Sequence, residues 1–143
     1  MINILSGVDS TASALNAERI RMDVVSENIA NVNTTRGTDG KPYQREQVVF
    51  ESVLKAQQSS DTPGASPSSV QIARVEKDAR PPVMVYNPTH PDANEQGMVA
   101  MPDINIHEEM VDMIAASRAF EANLAVVKNA RTMAMQTLAI AKH

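Results

Sequence analysis

Two clusters in this 143-residue sequence hold side chains capable of chemistry. Asp103, Glu108, Glu109 and Asp112 crowd carboxylates into one short stretch, and paired carboxylates can do general acid–base work. Their setting points elsewhere. Asn105 followed three residues later by Glu108 is an Asx variant of the capping box, which marks a helix start. Acidic groups in a first helical turn are stabilised by the positive end of the helix dipole, about 0.3–1 kcal/mol each at low salt. Neither a Gly-rich cradle nor a G-x-S-x-G elbow nor a nucleophile–base arrangement accompanies them, so no catalytic residue is expected. His90, Asp92 and His107 form the second cluster. Their spacing fits no zinc signature and the chain has no Cys, so no metal site and no other cofactor is expected. A protonated His107 would oppose the dipole in a first turn, so a neutral, solvated imidazole is expected.

The elements that carry these groups are more informative. From Met110 to Ala141 the chain has no Gly or Pro and is rich in Ala, Leu and Met, all strong helix formers. On a helical wheel Met113, Phe120, Leu124, Val127, Ala134 and Leu138 share one face. Ala115, Ala119, Ala122, Val126, Ala130, Met133 and Ile140 share the adjoining one. The apolar arc spans roughly 200°, about twice what a surface helix of a globular protein needs. Asp112, Asn123 and Arg131 interrupt it without closing it. One partner helix cannot cover such an arc. The four methionines Met110, Met113, Met133 and Met135 read as interface filler or as an adaptable groove.

The other end is a narrower helix over about residues 4–31. Ile4, Val8, Thr11, Leu15, Met22, Val25 and Ile29 recur at spacings of three, four and seven, as in a coiled-coil seam, and Asp9, Asn16, Asp23 and Glu27 mark the opposite face. Pairing this stripe with one face of the C-terminal helix leaves the other face for a neighbour. Asn28, Asn31, Asn33 and Thr34 read either as a helix C-cap with Asn turns or as an assembly elbow. Arg118 belongs to a polar strip with Glu121 and Gln136. Arg131, on the apolar arc, should meet a carboxylate of the N-terminal helix or of a neighbouring chain.

Between the helices the pattern is short and irregular. Asp39-Gly40 is a tight-turn dipeptide and Pro42 blocks helix continuation. Residues 44–50 read as a strand, and 59–69 (SSDTPGASPSS) as a flexible linker. Val70, Ile72 and Val75 suggest alternation and Val83–Tyr86 a further strand, with 77–82 as the turn of a hairpin between them. Residues 97–102 form another extended piece. The expected fold is mainly α with a small β part: long terminal helices packed antiparallel as a coiled-coil-like pair around a β-hairpin or irregular middle, in an elongated subunit. The expected division is a discontinuous helical assembly domain (1–33 and 103–143) and a β-rich middle (34–102). Aromatics are only 3% of residues and net charge is −4. The first favours Ala/Leu/Met helix packing over a globular core; the second leaves no basic footprint for nucleic acid. No run of about 18 apolar residues spans a membrane, and the N-terminus lacks the pattern of a cleavable signal peptide.

Two stretches resemble a known family. Ser26-Glu-Asn-Ile-Ala-Asn-Val-Asn-Thr34 is similar to the N-terminal signature of the axial proteins of the bacterial flagellum: rod, hook and hook-associated proteins. Asn87-Pro-Thr-His-Pro-Asp-Ala-Asn94, Gly97-Met-Val-Ala-Met-Pro-Asp-Ile-Asn105, Glu109-Met-Val-Asp-Met-Ile114 and Ser117-Arg-Ala-Phe-Glu-Ala-Asn-Leu124 resemble, more specifically, the proximal rod branch. The likeness covers essentially the whole chain, with Met98 and Phe120 standing where that branch usually has Tyr.

The resemblance implies a structural subunit, not an enzyme. It would polymerise through its terminal helices into the helical proximal rod of the basal body, which crosses the periplasm, transmits torque and surrounds the export channel. It would leave the cytoplasm by the flagellar type III export apparatus without a cleaved signal peptide. Implied partners are copies of itself, other proximal rod proteins, the adaptor at the rod base and the export apparatus; no nucleic acid, membrane insertion or small-molecule substrate is expected. The expected assembly surface comprises Val8, Leu15, Met22, Val25 and Ile29 with Asn28, Asn31 and Thr34 at the helix end. On the C-terminal helix it takes Met113, Phe120, Leu124, Val127, Arg131, Met133, Leu138 and Ile140. Asn87, Pro88, His90, Pro91, Asp92, Ala93, Asn94 and Gly97 make up the family's signature loop. The alternative is a cytoplasmic coiled-coil adaptor, which would form a closed dimer where the rod reading requires an open array.

Overall fold

The computed structural model describes residues 4–54 and 68–140. The element order is α1 (Ile4–Ala30), β1 (Glu46–Leu54), β2 (Ser68–Lys77), β3 (Val83–Tyr86), β4 (Met98–Met101) and α2 (Ile106–Ile140). The molecule is thus mainly helical with a small β part, as the sequence patterning implies. Most of the expected linker at 59–69 lies outside the described residues; Ser68 and Ser69 begin β2.

α1 and α2 pack on each other and run antiparallel: Arg21 reaches Asp112 and Asn28 reaches Glu109. At 1.5 Å per residue α2 is about 52 Å long and α1 about 40 Å. The seam matches the expected one only in part. Arg21 and Asn28, seven residues apart, are the α1 side chains that reach α2, and Ala17, Val24 and Asn28 near them are buried. Of the expected stripe Val25 is buried, while Val8, Leu15, Met22 and Ile29 are half-buried. β1 and β2 also pack on α1. Apolar periodicity identifies the stripe that holds Val25, but not the polar contacts of Arg21 and Asn28 with α2.

The hairpin pairing is also corrected. β1 pairs antiparallel with β2, Glu46 opposite Lys77 and Val48 opposite Val75, with a bulge where Phe50 meets Ile72 and Ala73 is left over. β3 pairs instead with β4, Val83 opposite Met101 and Tyr86 opposite Met98. Residues 78–82 therefore connect two separate two-stranded sheets rather than closing a hairpin. The strand signals of 70–75 and 83–86 were sound. The turn residues that decide the pairing lie in the loop after β3, where Gly97 has φ +74°.

That loop is knit by its own polar groups. Asn87 N–H donates to the Gly97 carbonyl at 2.9 Å, and Asn94 Oδ1 accepts from Gln96 and Met98 N–H at 3.0 and 2.9 Å. A Cβ at Gly97 would stand 3.0 Å from Tyr86 Cε2 and 3.2 Å from Pro88 Cβ, so both conformation and space require glycine. In β4 Val99 is buried, 2% exposed, whereas every β3 side chain is exposed.

Candidate assembly interface

At the end of the helical pair where α1 stops and α2 starts, a buried polar joint fixes how the chain leaves one helix and enters the other. Asn28, 0% exposed, uses all of its hydrogen-bonding capacity. Its Nδ2 donates to the Glu46 carbonyl at 2.8 Å and to Glu109 Oε2 at 3.0 Å. Its Oδ1 accepts from Glu46 N–H at 2.9 Å and from the Tyr43 hydroxyl at 3.1 Å. The side-chain amide thus pairs with the Glu46 backbone as a strand neighbour would, and ties the start of β1 to the last turns of α1.

Glu109, 1% exposed, accepts from Arg45 Nε at 2.6 Å. Arg45 also faces Asp112 at 3.8 Å, and Asp112 takes Arg21 at 3.2 Å. A buried carboxylate is tolerated because two donors from separate elements meet it. Glu46, Glu27 and Glu109 surround Tyr43, and burial together with their negative charge raises its pKa to about 12. Beside the joint, Arg80 bridges Asp78 at 2.8 Å and Asp103 at 3.1 Å; hydrogen bonds from Arg80 hold the Asp78 carboxyl below its usual range.

Glu108 and Glu109 stand in the first turn of α2, as the helix-start reading requires, and the geometry adds further roles. Only Glu108 takes the capping role: Asn105 Oδ1 accepts from His107 N–H at 3.1 Å and Asn105 Nδ2 donates to Glu108 at 3.1 Å. Asp103, Glu109 and Asp112 are ion-pair partners of Arg80, Arg45 and Arg21. The sequence reading missed Arg21, Tyr43 and Arg45. The available signal was Arg21 and Asn28, seven residues apart on the side of α1 that meets the acidic turns of α2.

The other loop residues act locally. Asn31 Nδ2 donates to the Glu27 carbonyl at 2.9 Å, Thr34 Oγ1 lies 3.1 Å from Asn31 Oδ1, and Tyr43 N–H donates to the Thr34 carbonyl at 3.1 Å. The signature loop is pinned to this turn by Thr35 Oγ1, which donates to Asp92 Oδ2 at 2.8 Å, and by Arg36 at 3.6 Å from Asp92. His90 Nδ1 accepts from Asp92 N–H at 3.1 Å, so that nitrogen is occupied within the loop. Pro88, Pro91 and Asn94 remain exposed, Ala93 half-buried.

Among the described residues, the opposite end of the pair is largely uncovered. Of the expected α2 surface, Met113, Phe120 and Val127 are half-buried alongside buried Ala116. Leu124 (52%), Met133 (58%), Leu138 (69%) and Ile140 (77%) are exposed. Val126 and Met135 are exposed with them. With equal rise along both helices from the Asn28–Glu109 contact, the first turn of α1 lies opposite about residue 133, so the last turns of α2 overhang it. Arg131 is exposed, and among the described residues it forms no ion pair; the N-terminal helix supplies no carboxylate to it within the chain.

Comparison with known proteins agrees with this architecture at both ends. Residues 9–37 match the family described as "Flagella basal body rod protein". Residues 95–140 match "Flagellar basal body rod FlgEFG protein C-terminal". The chain is 37% identical to the flagellar basal-body rod protein FlgC of Borreliella burgdorferi, over 97% of this chain and 98% of that one. It is 38% identical to FlgC of Bacillus subtilis over 92% and 94% of the two chains. To FlgC of Salmonella typhimurium it is 35% identical over 96% and 97%. With identity at this level along nearly the full length of both chains, the protein belongs to the FlgC family of flagellar basal-body rod proteins.

Proposed function

We propose that the chain is a structural subunit of the flagellar basal-body rod that polymerises through its terminal helices. The observation that carries this reading is the uncovered apolar surface of α2, from Leu124 to Ile140. Apolar area of this size gains free energy when a neighbour removes it from water, at about 25 cal/mol per Å². A long antiparallel helical pair with apolar flanks suits an open helical array, because heterologous contacts need not close. Rigidity follows from packing: interdigitated helices deform little and can pass torque along the rod.

In this reading the helical stem builds the inner wall around the export channel, and the two small sheets face outward. The subunit leaves the cytoplasm through the flagellar type III export apparatus and joins other proximal rod proteins and the adaptor at the rod base, in the periplasm-spanning part of the basal body. Its role is mechanical rather than catalytic. Membership of the rod family favours this over a cytoplasmic adaptor.

The test is Leu124→Asp. Leu124 is exposed, so the isolated chain should keep its helical circular dichroism and its expression level. Rod assembly and motility should be lost. Rods of normal length and number with this variant incorporated would defeat the reading.

A further inference from the structure

The two helices carry opposite charge on faces that cannot meet within one molecule. Asp9, Asp23 and Glu27 fall with Asn16 on one line of α1, all exposed. After Glu121, α2 carries Lys128 and Arg131 and no acidic residue among those described. Among the described residues none of these five charged side chains forms an ion pair inside the chain. The seam positions fix where each set points. From the Ala17–Asn28 side of α1 the acidic line turns to one face of the helical pair. From the Ala116 side of α2 the Lys128–Arg131 flank, with Leu124 and Met135, turns to the other, since antiparallel helices advance around their axes in opposite senses.

We propose that copies of this chain stack front to back, with the acidic line of α1 in one copy seated against the Lys128–Arg131 flank of α2 in the next. The proposal rests on the rod reading and names the faces that reading leaves open. An isologous contact would set the acidic line against itself or the basic flank against itself, and like charges across an interface are repelled. A heterologous contact pairs them, and repeats without closing. It also resolves Arg131: burial of that guanidinium beside Leu124 and Leu138 is costly unless a carboxylate comes with the covering surface. Met133 and Val126 lie on the opposite flank of α2, the same side of the pair as the acidic line. Each face thus offers apolar area as well as charge.

The chain has no Cys, so introduced thiols are unique. Two purified populations are mixed, one carrying Met135→Cys on the basic flank, the other Asn16→Cys within the acidic line, and treated with a short bismaleimide. Mixed adducts should outnumber both like-with-like adducts, and their yield should fall as salt is raised. Adding Arg131→Glu to the first population should lower the mixed yield about tenfold. Asp9→Lys, Asp23→Lys or Glu27→Lys in the second should restore it. Dominant like-with-like adducts, an Arg131→Glu yield equal to the parent, or no restoration by any of the three reversals overturns the pairing. Absence of any adduct between unmutated faces overturns it too. None of these results touches the rod reading, which falls only if Leu124→Asp leaves rods intact.

Discussion

The two ends of the helical pair solve burial in opposite ways. At the joint, the chain buries a carboxylate and an amide and satisfies both with its own residues: Glu109 with Arg45 and Asn28, Asn28 with Glu46 and Tyr43. At the overhang, Leu138 and Ile140 are exposed, with nothing among the described residues to cover them. Polar groups are directional and must be paired within the fold; apolar surface is not directional and can wait for a neighbour. A subunit that assembles needs both: one end that sets its shape before docking, and one end whose energy is released only on docking.

The largest effect should come from the joint. Glu109→Ala leaves Arg45 with only a distant Asp112 and leaves an Asn28 donor unpaired. Removing one partner of a buried ion pair costs about 3–5 kcal/mol, and partial access of water to Arg45 places this one near the lower end. Urea unfolding followed by circular dichroism measures it. A loss below about 1 kcal/mol, the size of an ordinary surface ion pair, would show that the joint is no more structured than the rest of the surface.

What could be read from sequence follows the same division. The two long helices, the cap at Asn105 and the excess of apolar surface on α2 are local or periodic properties, and each was visible as composition and spacing. The joint was not, because Asn28, Arg45 and Glu109 come from three elements distant in the chain, and only the fold brings them together. A local rule accounts for an acidic first turn, so the sequence gives no sign that Glu109 and Asp112 also meet Arg45 and Arg21. The seam is only partly legible for a related reason. The apolar stripe from Val8 to Ile29 includes buried Val25, but the polar pair Arg21–Asp112 that also joins the helices leaves no apolar signal. The β3–β4 pairing depended on the long loop closed by Asn87 and Gly97, which has no two-residue turn signature.

The second largest effect should again fall near the joint, where the signature loop is fastened through Asp92. Gly97→Ala puts a Cβ into a left-handed backbone and against Tyr86 and Pro88. A residue forced into that region costs about 1–2 kcal/mol before any clash is counted. The variant should lose at least that much stability, with proteolysis rising in residues 83–101 before the helices open. A neutral result would mean that the β3–β4 hairpin contributes little to the well-determined end.

A smaller effect separates the ends by pH. Tyr43 titrates near 10 when unfolded and at about 12 in the fold. Its neutral form is therefore favoured natively: this contribution is fully present below pH 10 and is lost as pH rises from 10 to 12. Tyr43→Phe should remove that alkaline decline while costing the hydroxyl's hydrogen bond to Asn28 at all lower pH, about 1 kcal/mol. Identical pH–stability curves for parent and variant above pH 10 would contradict the placement of Tyr43 among Glu46, Glu27 and Glu109.

The smallest effect sharpens the contrast most. Leu138→Ser removes a large apolar side chain, and in a core such a change costs several kcal/mol. Here the side chain is 69% exposed beyond the reach of α1, so the isolated chain should change by no more than about 0.5 kcal/mol. The same substitution should weaken assembly, because in the proposed rod a neighbour buries the surface it removes. A monomer loss approaching that of a core truncation would mean that this chain already shelters its overhang, and the two ends would no longer differ in kind.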